Sequence, residues 1–233
     1  PQKYKNAALR EITDDLGLGY HCVLPQFRNF ENEDDDLDLG LGIYRFESIL
    51  YKVVLHNTGR KITRKPDGLN IVEYSTPYGN ITTKVVYNED MRKSGATLSH
   101  TVEHAIKGVE DFKAISHIFE NAEIIPDYSN YLELMKSVVG DRGIAAGFAN
   151  IFASPIHFLL KELMSVSTFF YAMFDYPEEM EWLGQKLSGY CNRVFDVVAD
   201  SPAEVILSGA NYDSSITTPP IFKKHITPYL QKQ

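Results

Sequence analysis

The chain has 233 residues, 44% hydrophobic and 12% aromatic, which is enough to bury the core of one large domain. A net charge of −8 and scattered basic residues argue against nucleic-acid binding, which requires clustered Lys and Arg. No apolar stretch is long and continuous enough to span a bilayer, and no signal peptide opens the chain, so we predict a soluble protein. The absence of a spaced cysteine framework favours a reducing cytoplasm. Cys22 and Cys191 form no disulfide framework or zinc module, and we interpret both as small buried hydrophobic residues.

The N-terminal region combines a weak helical pattern with an acidic run. Apolar residues at helical spacing fall within residues 7–16, and a short apolar stretch follows at 21–25. Residues 31–38 then contain six acids, which repel one another and leave few side chains to bury. We predict a solvated loop there, because the run lacks the Asp/Asn alternation and terminal Glu of a calcium-binding EF-hand.

A β pattern follows between residues 43 and 87. The runs at 50–55, 71–74 and 81–87 are β-branched and aromatic, and turn residues separate them. This pattern predicts an antiparallel β-ribbon over 43–87, inserted into a larger single domain that spans 1–233.

The remainder of the chain alternates between helical and strand patterns. Buried strands are predicted at 143–151 and 205–208, and helices at 110–121, 128–139, 155–164 and 177–200. Apolar strands that alternate with helices are typical of parallel βα units, so the predicted class is α/β.

A polar elbow follows the last predicted strand, and a helix begins after it near Pro219. Ligands of βα units bind beyond the carboxyl ends of the strands, which places Asn211 and Asp213 where chemistry would occur. The alternative is that both side chains only stabilise a turn, since Asn and Asp are good turn formers.

Other polar residues favour structural roles over chemistry. His100 and His104 are four residues apart, but their surroundings favour a strand, which would separate them by roughly 13 Å and prevent shared metal binding. Asp141 and Arg142 precede a predicted strand, at the end opposite to catalysis, so a structural ion pair is favoured.

Several stretches resemble the uroporphyrinogen decarboxylase superfamily, and they occur in the same order. They are GANYDSSITTPPIF at 209–222 with TPYL at 227–230, GFA at 147–149 with SPIHFLL at 154–160, and YPEE at 176–179. The stretches TPYG at 76–79 and HAIKGVED at 104–111 are similar to the methyltransferase-like branch of that superfamily.

The resemblance implies a (β/α)8 TIM-barrel fold. The chain contains neither the His-x-Asp-Gly nor the His-x-Cys-Gly motif that follows in the family, so the resemblance implies an internal segment and an incomplete barrel. The apolar edges of such a barrel would be covered by contacts in a homo-oligomer.

The resemblance also implies a function, which we state as methyl transfer involving a corrinoid protein and a thiol acceptor. The alternatives are uroporphyrinogen III decarboxylation, for which the family's Arg-rich signature is absent here, and non-catalytic ligand binding or corrinoid docking. No metal ligands are predicted within the chain, whereas zinc and a corrinoid are implied for the longer protein. For a small-molecule substrate, the predicted catalytic residues are Asn211, Tyr212 and Asp213, and the predicted substrate-binding residues are Phe148, Asn150 and His157. The alternative for His157, which begins a helix after Pro155, is a surface or packing role.

Overall fold

The computed structural model describes residues 2–24, 34–150, 152–208 and 212–232. Its strands are β1 (Tyr20–Leu24), β2 (Tyr51–Leu55), β3 (Gly59–Arg64), β4 (Leu69–Thr76), β5 (Gly79–Val86), β6 (His100–Glu103), β7 (Ala122–Pro126), β8 (Gly143–Asn150) and β9 (Val205–Ser208).

The α-helices vary in length from one turn to more than six turns. They are α1 (Leu9–Asp15), α2 (Glu89–Ser94), α3 (Phe112–Glu120), α4 (Ser129–Leu134), α5 (Pro155–Phe158), α6 (Val166–Asp175), α7 (Pro177–Ala199), α8 (Pro219–Ile221) and α9 (Thr227–Leu230). Three π-helical segments continue α4, α5 and α8, namely Met135–Val139, Leu159–Leu163 and Phe222–Ile226. None of the described helices combines the length and apolar character that crossing a bilayer requires.

A three-stranded parallel sheet with the order β1-β8-β9 forms one part of the structure. Its register pairs Cys22 with Ala145 on one side of β8 and Ala146 with Val205 on the other. From Ala145 to Asn150 every residue of β8 is buried, as expected for a central parallel strand that is covered on both faces. The small residues of this strand allow neighbouring elements to pack closely on it.

The remaining strands pair in antiparallel fashion. A four-stranded sheet has the order β3-β4-β5-β6, and β2 pairs separately with β7. Buried residues alternate with more exposed ones along β4 and β5, and Val72, Tyr74, Ile81 and Val85 face the core. Side chains alternate between the two faces of a strand, which explains this pattern.

The predicted TIM barrel is wrong. In the described part of the chain, the parallel strands are the three of one small sheet, to which only an isolated parallel bridge between Ile106 and Met164 is added, and the other strands belong to antiparallel sheets. The βα alternation predicted after residue 109 is interrupted because β7 returns to pair with β2. The predicted ribbon over 43–87 is likewise divided between two sheets, because β2 pairs with β7 and not with β4 or β5.

A continuous apolar core joins the sheets to the helices. Rings from α3, α5 and α7 meet in it, with Phe119 and Tyr190 packed edge to face at 4.8 Å and Phe158 beside both. Cys191 is fully buried in this region, and burial raises the pKa of its thiol well above the usual value. That placement confirms its interpretation as a small hydrophobic residue, whereas the side chain of Cys22 lies outside the described part of the chain.

The acidic run is not a solvated loop over its C-terminal half. Asp35–Leu41 forms a 3-10 helix that packs into the core, with Asp38 only 2% exposed. The Asp38 carboxylate accepts hydrogen bonds from Arg45 Nε at 2.8 Å and Tyr74 Oη at 2.7 Å, and pairs with Arg60 Nε at 2.9 Å. The repulsion that predicted a loop is therefore offset by two cations from distant strands and turns.

Candidate functional site

The candidate site lies at the carboxyl edge of the parallel sheet. Asn150 is the last residue of β8, His157 lies on α5 directly beyond it, and Tyr212 follows β9. His157 and Tyr212 are in contact, with stacked rings 5.3 Å apart at an interplanar angle of 23°. Three of the predicted site residues therefore occupy one edge of the sheet.

The connection from β8 to α5 is held by side chains that accept hydrogen bonds from the backbone. Asn150 Oδ1 accepts from the N–H of Phe152, and His157 Nδ1 accepts from the N–H of Ala153, both at 3.2 Å. Ser154 caps α5 by accepting from the N–H of His157 at 3.1 Å, and Pro155 occupies the first helical turn, where its missing N–H costs nothing. The orientations of Asn150 and His157 are consequently defined by the backbone.

These backbone contacts determine which polar atoms remain to bind a ligand. Because Asn150 Oδ1 is an acceptor, the other amide atom is the Nδ2 donor. Because Nδ1 of His157 is also an acceptor, the proton of the neutral ring resides on Nε2. Asn150 Nδ2 and His157 Nε2 are both buried, and neither has a hydrogen-bonding partner within the described part of the chain. The site therefore presents two unpaired donors.

The ring of His157 is neutral near pH 7. Burial, and to a lesser extent the charge of Lys161, lower its pKa to about 4. Tyr212 covers the ring and is held in turn by an edge-to-face contact with Phe222 at 5.1 Å. Burial also raises the pKa of Tyr212, so its hydroxyl is protonated. The described side chains Asn150, His157 and Tyr212 therefore present hydrogen-bond donors that carry no formal charge.

The other predicted site residues lie in different surroundings. Asp213 is exposed, and its carboxylate accepts from the Ser215 hydroxyl at 2.6 Å and the Ser215 N–H at 2.8 Å, which lowers its pKa. This is the turn geometry that we gave as the alternative to a catalytic role. Phe148 packs in the core against Tyr44 and Phe46. Asn211 lies outside the described residues.

Two charged residues near the site were not predicted as functional. Lys161 lies four residues after His157, in the π-helical segment Leu159–Leu163, and its charge contributes to the lowered pKa of His157. Glu162 is partly buried and accepts a hydrogen bond from Tyr44, yet burial raises its pKa to about 8. The sequence carries no signal for Glu162, because its burial depends on the packing of the helix against residues 42–44.

We expect Glu162 to make stability depend on pH. Its folded pKa of about 8 exceeds the ordinary carboxyl pKa. At pH values between these two, the folded state therefore binds more protons than the unfolded state. The stabilising proton is retained at low pH and lost as the pH rises through 8, and the free energy of unfolding should fall by about 4 kcal/mol between pH 5 and pH 8.5. Glu162→Gln should flatten this profile in urea unfolding. Exposed Glu179→Gln is the matched control, and equal profiles for both variants would contradict the assignment.

No cluster of three or more potential metal ligands is found among the described His, Cys, Asp and Glu residues. His100 begins strand β6, and His104 Nδ1 lies 3.0 Å from the carbonyl oxygen of Glu162. Arg142 forms an ion pair with Asp14 of α1, a structural contact that ties the N-terminal helix to the start of β8.

A separate cleft of about 460 Å³ lies between α7 and the C-terminal helices. Its polar lining includes Glu181, Gln185, Lys224 and His225, alongside apolar residues of α5. The charged groups of this cleft reach solvent and can be hydrated, whereas Asn150 Nδ2 and His157 Nε2 cannot. A bound acceptor would recover more free energy at an unpaired buried donor than at a hydrated group. The sheet edge is therefore the better candidate site.

In comparisons with known proteins, no protein-family model, curated protein or solved structure matches this chain. Membership of the uroporphyrinogen decarboxylase superfamily therefore stays a prediction that rests on the sequence stretches given above.

Proposed function

We propose that the protein binds a small molecule through an oxygen acceptor, held by Asn150 Nδ2 and His157 Nε2–H at the carboxyl edge of the parallel sheet. The pair of buried, unpaired donors carries this proposal. A buried donor without an acceptor costs about 1–3 kcal/mol, and an acceptor supplied by a ligand would recover that free energy.

The position and chemistry of the pair support ligand binding. Parallel sheets bind ligands beyond the carboxyl ends of their strands, which is where Asn150 ends β8. A carboxylate, amide or ketone oxygen is an acceptor suited to either donor. Tyr212 stacks on His157 and is itself 43% exposed, so a ligand would reach the donors by displacing this ring.

The reaction class is proposed on the resemblance alone. Methyl transfer between a corrinoid and a thiol is the first candidate, and porphyrinogen decarboxylation is the alternative. Neither rests on the fold, because function must be argued from sites and the family's barrel is not found. Methylcobalamin demethylation with a thiol acceptor tests the first reaction, and uroporphyrinogen turnover tests the second. If the protein performs neither, ligand binding without catalysis becomes the favoured function.

Binding itself can be tested with probes that share one size and differ in their polar group. Acetamide offers a neutral acceptor, acetate an anionic acceptor, and methylammonium only donors. We expect acetamide and acetate to shift the Nε2–H resonance of His157 in nuclear magnetic resonance titrations, and methylammonium to leave it unchanged. Asn150→Asp preserves the acceptor for Phe152 N–H but removes the free donor, and should weaken acetamide binding about ten-fold.

A matched control is available on the surface. Asn130 donates its amide hydrogen to the carbonyl of Glu47, and Asn130→Asp should leave acetamide affinity unchanged. The proposal is overturned if neither acceptor probe shifts the His157 resonance. It is also overturned if Asn150→Asp and Asn130→Asp affect acetamide binding equally.

A further inference from the structure

We propose that a second cavity, between the β4–β5 turn and helices α3 and α7, binds a small aromatic carboxylate. None of its described lining residues belongs to β8 or α5, so this site is independent of the sheet edge. The cavity has a volume of about 260 Å³. Since an apolar cavity of about 150 Å³ can hold benzene, there is room here for one ring with a small substituent.

Two partly exposed aromatic side chains line this cavity. Tyr78 lies in the β4–β5 turn and is 60% exposed, and Trp182 lies on α7 and is 38% exposed. The Tyr78 ring packs edge to face on His117 of α3, with the ring centroids 5.6 Å apart. His117 is held in turn by Asn57, whose carbonyl oxygen lies 3.1 Å from Nε2. The two rings therefore offer stacking surface to a flat ligand at a defined place.

The charges that line the cavity leave one cation without a partner. Lys186 pairs with Glu120 at 2.8 Å, and Glu120 also accepts a hydrogen bond from the Ser116 hydroxyl at 3.0 Å. The Lys186 ammonium lies 5.8 Å from the centroid of the Trp182 ring. Lys113 lines the same cavity and forms no ion pair within the described part of the chain. Because the Lys186–Glu120 pair is neutral as a unit, Lys113 is the cation available to an anionic ligand.

Two acids of α7 lie near Lys113 but do not line this cavity. Glu178 and Glu179 line an adjoining cavity of about 330 Å³, to which Lys113 and Trp182 also contribute. Their charge reduces the attraction of Lys113 for an anion, so the expected preference is modest. An amine is the competing ligand, because these acids would attract it.

The remaining polar groups match an acceptor that carries charge. Lys113 presents three N–H donors, and the Tyr78 hydroxyl forms no hydrogen bond to the described residues. A carboxylate matches these donors and the single charge of Lys113, whereas a flat ring matches the faces of Tyr78 and Trp182. An aromatic carboxylate combines both features.

Trp182 is the only tryptophan of the chain, so its fluorescence reports binding at this cavity. At pH 7 and low ionic strength we expect benzoate to change this emission and to bind about five-fold more tightly than benzamide, which has the same shape without the charge. Cyclohexanecarboxylate keeps the charge but lacks the flat ring, and should bind about five-fold more weakly than benzoate. Benzylamine should bind more weakly than benzamide.

Variants assign these preferences to residues. Lys113→Met should weaken benzoate binding about five-fold and leave benzamide binding unchanged. Tyr78→Leu should weaken both to the same extent, because it removes a stacking surface. The controls are Lys65→Met on the β3–β4 turn and Tyr171→Leu on α6, which alter exposed side chains outside the cavity and should leave both affinities unchanged.

Each part of the proposal can fail separately. An unchanged Trp182 emission with benzoate would overturn the site. Equal affinities for benzoate and benzamide, or tighter binding of benzylamine, would overturn the choice of an anion. Equal affinities for benzoate and cyclohexanecarboxylate would overturn the choice of an aromatic ring. The His157 resonance reports the sheet edge independently, so the proposed function is tested apart from this site.

Discussion

Asp38→Ala is expected to lower the free energy of unfolding by about 3–5 kcal/mol, as for other buried charges whose partner is removed. The carboxylate is the shared acceptor for Arg45, Arg60 and Tyr74, and it is almost completely buried. Its loss leaves the buried Tyr74 hydroxyl without its acceptor. It also removes the carboxylate from both guanidinium groups, which keep only their hydrogen bonds to the carbonyl oxygens of Val53 and Asp34. Urea unfolding followed by circular dichroism measures the change directly.

Asp34→Ala is the matched control, because Asp34 belongs to the same acidic run but pairs with Arg64 at the surface. Its loss should cost at most about 1 kcal/mol, as is typical for exposed ion pairs. Asp38→Asn provides a second comparison, since it keeps an oxygen for Tyr74 but removes the charge that holds the arginines. Similar small losses for Asp34→Ala and Asp38→Ala would mean that the run is solvated, as the sequence alone suggested.

Local patterns located several elements correctly. The β-branched run at 71–74 falls within β4, the run at 81–87 overlaps β5 as far as Val86, and the helix predicted at 177–200 corresponds to α7. These patterns depend on side-chain periodicity within a few turns or pleats, which a sequence displays directly. The burial of Asp38 was not predictable in this way, because Arg60 comes from β3 and Tyr74 from β4, and only the tertiary structure brings them together.

Strand pairing was the main error in the predicted fold. β2 pairs with β7, although some seventy residues of chain separate them. The short segment Ala122–Pro126 gave no strand signal, because it ends in proline and follows a helical pattern directly. Missing β7 allowed the region after residue 109 to be interpreted as repeating βα units. β8 and β9 do pair in parallel, but they belong to one three-stranded sheet and not to a barrel of repeated βα units.

The candidate site was partly accessible from the sequence. Resemblance placed Asn150, His157 and Tyr212 among the site residues, and the structure gathers them at one edge of the sheet. Their chemistry was not accessible, because it depends on which atoms accept hydrogen bonds from Phe152 and Ala153. The same residues with the opposite amide orientation or ring tautomer would present acceptors, and would require a different class of ligand.

Gly42→Ala is expected to lower the free energy of unfolding by about 3–4 kcal/mol, through backbone strain and a steric clash combined. Gly42 ends the 3-10 helix Asp35–Leu41 with φ of +64°, a left-handed conformation that disfavours any residue with a Cβ atom. A Cβ atom at this position would lie 2.6 Å from Phe158 Cε2 and 2.7 Å from Glu162 Cβ. Phe158 is fully buried, so it has little room to move.

Gly17 separates the two contributions, because its φ of +62° is nearly identical but a Cβ atom there would meet nothing within 4 Å. Gly17→Ala should therefore cost only the strain, about 1 kcal/mol. The difference between the two variants then measures the clash, and Phe158→Leu should recover part of it in combination with Gly42→Ala. Equal losses at Gly17 and Gly42 would mean that the helix bearing Phe158 and Glu162 can shift away from Gly42. Because His157 lies on that same helical segment, such a shift would also loosen the proposed binding site, and acetate affinity in Gly42→Ala would report it.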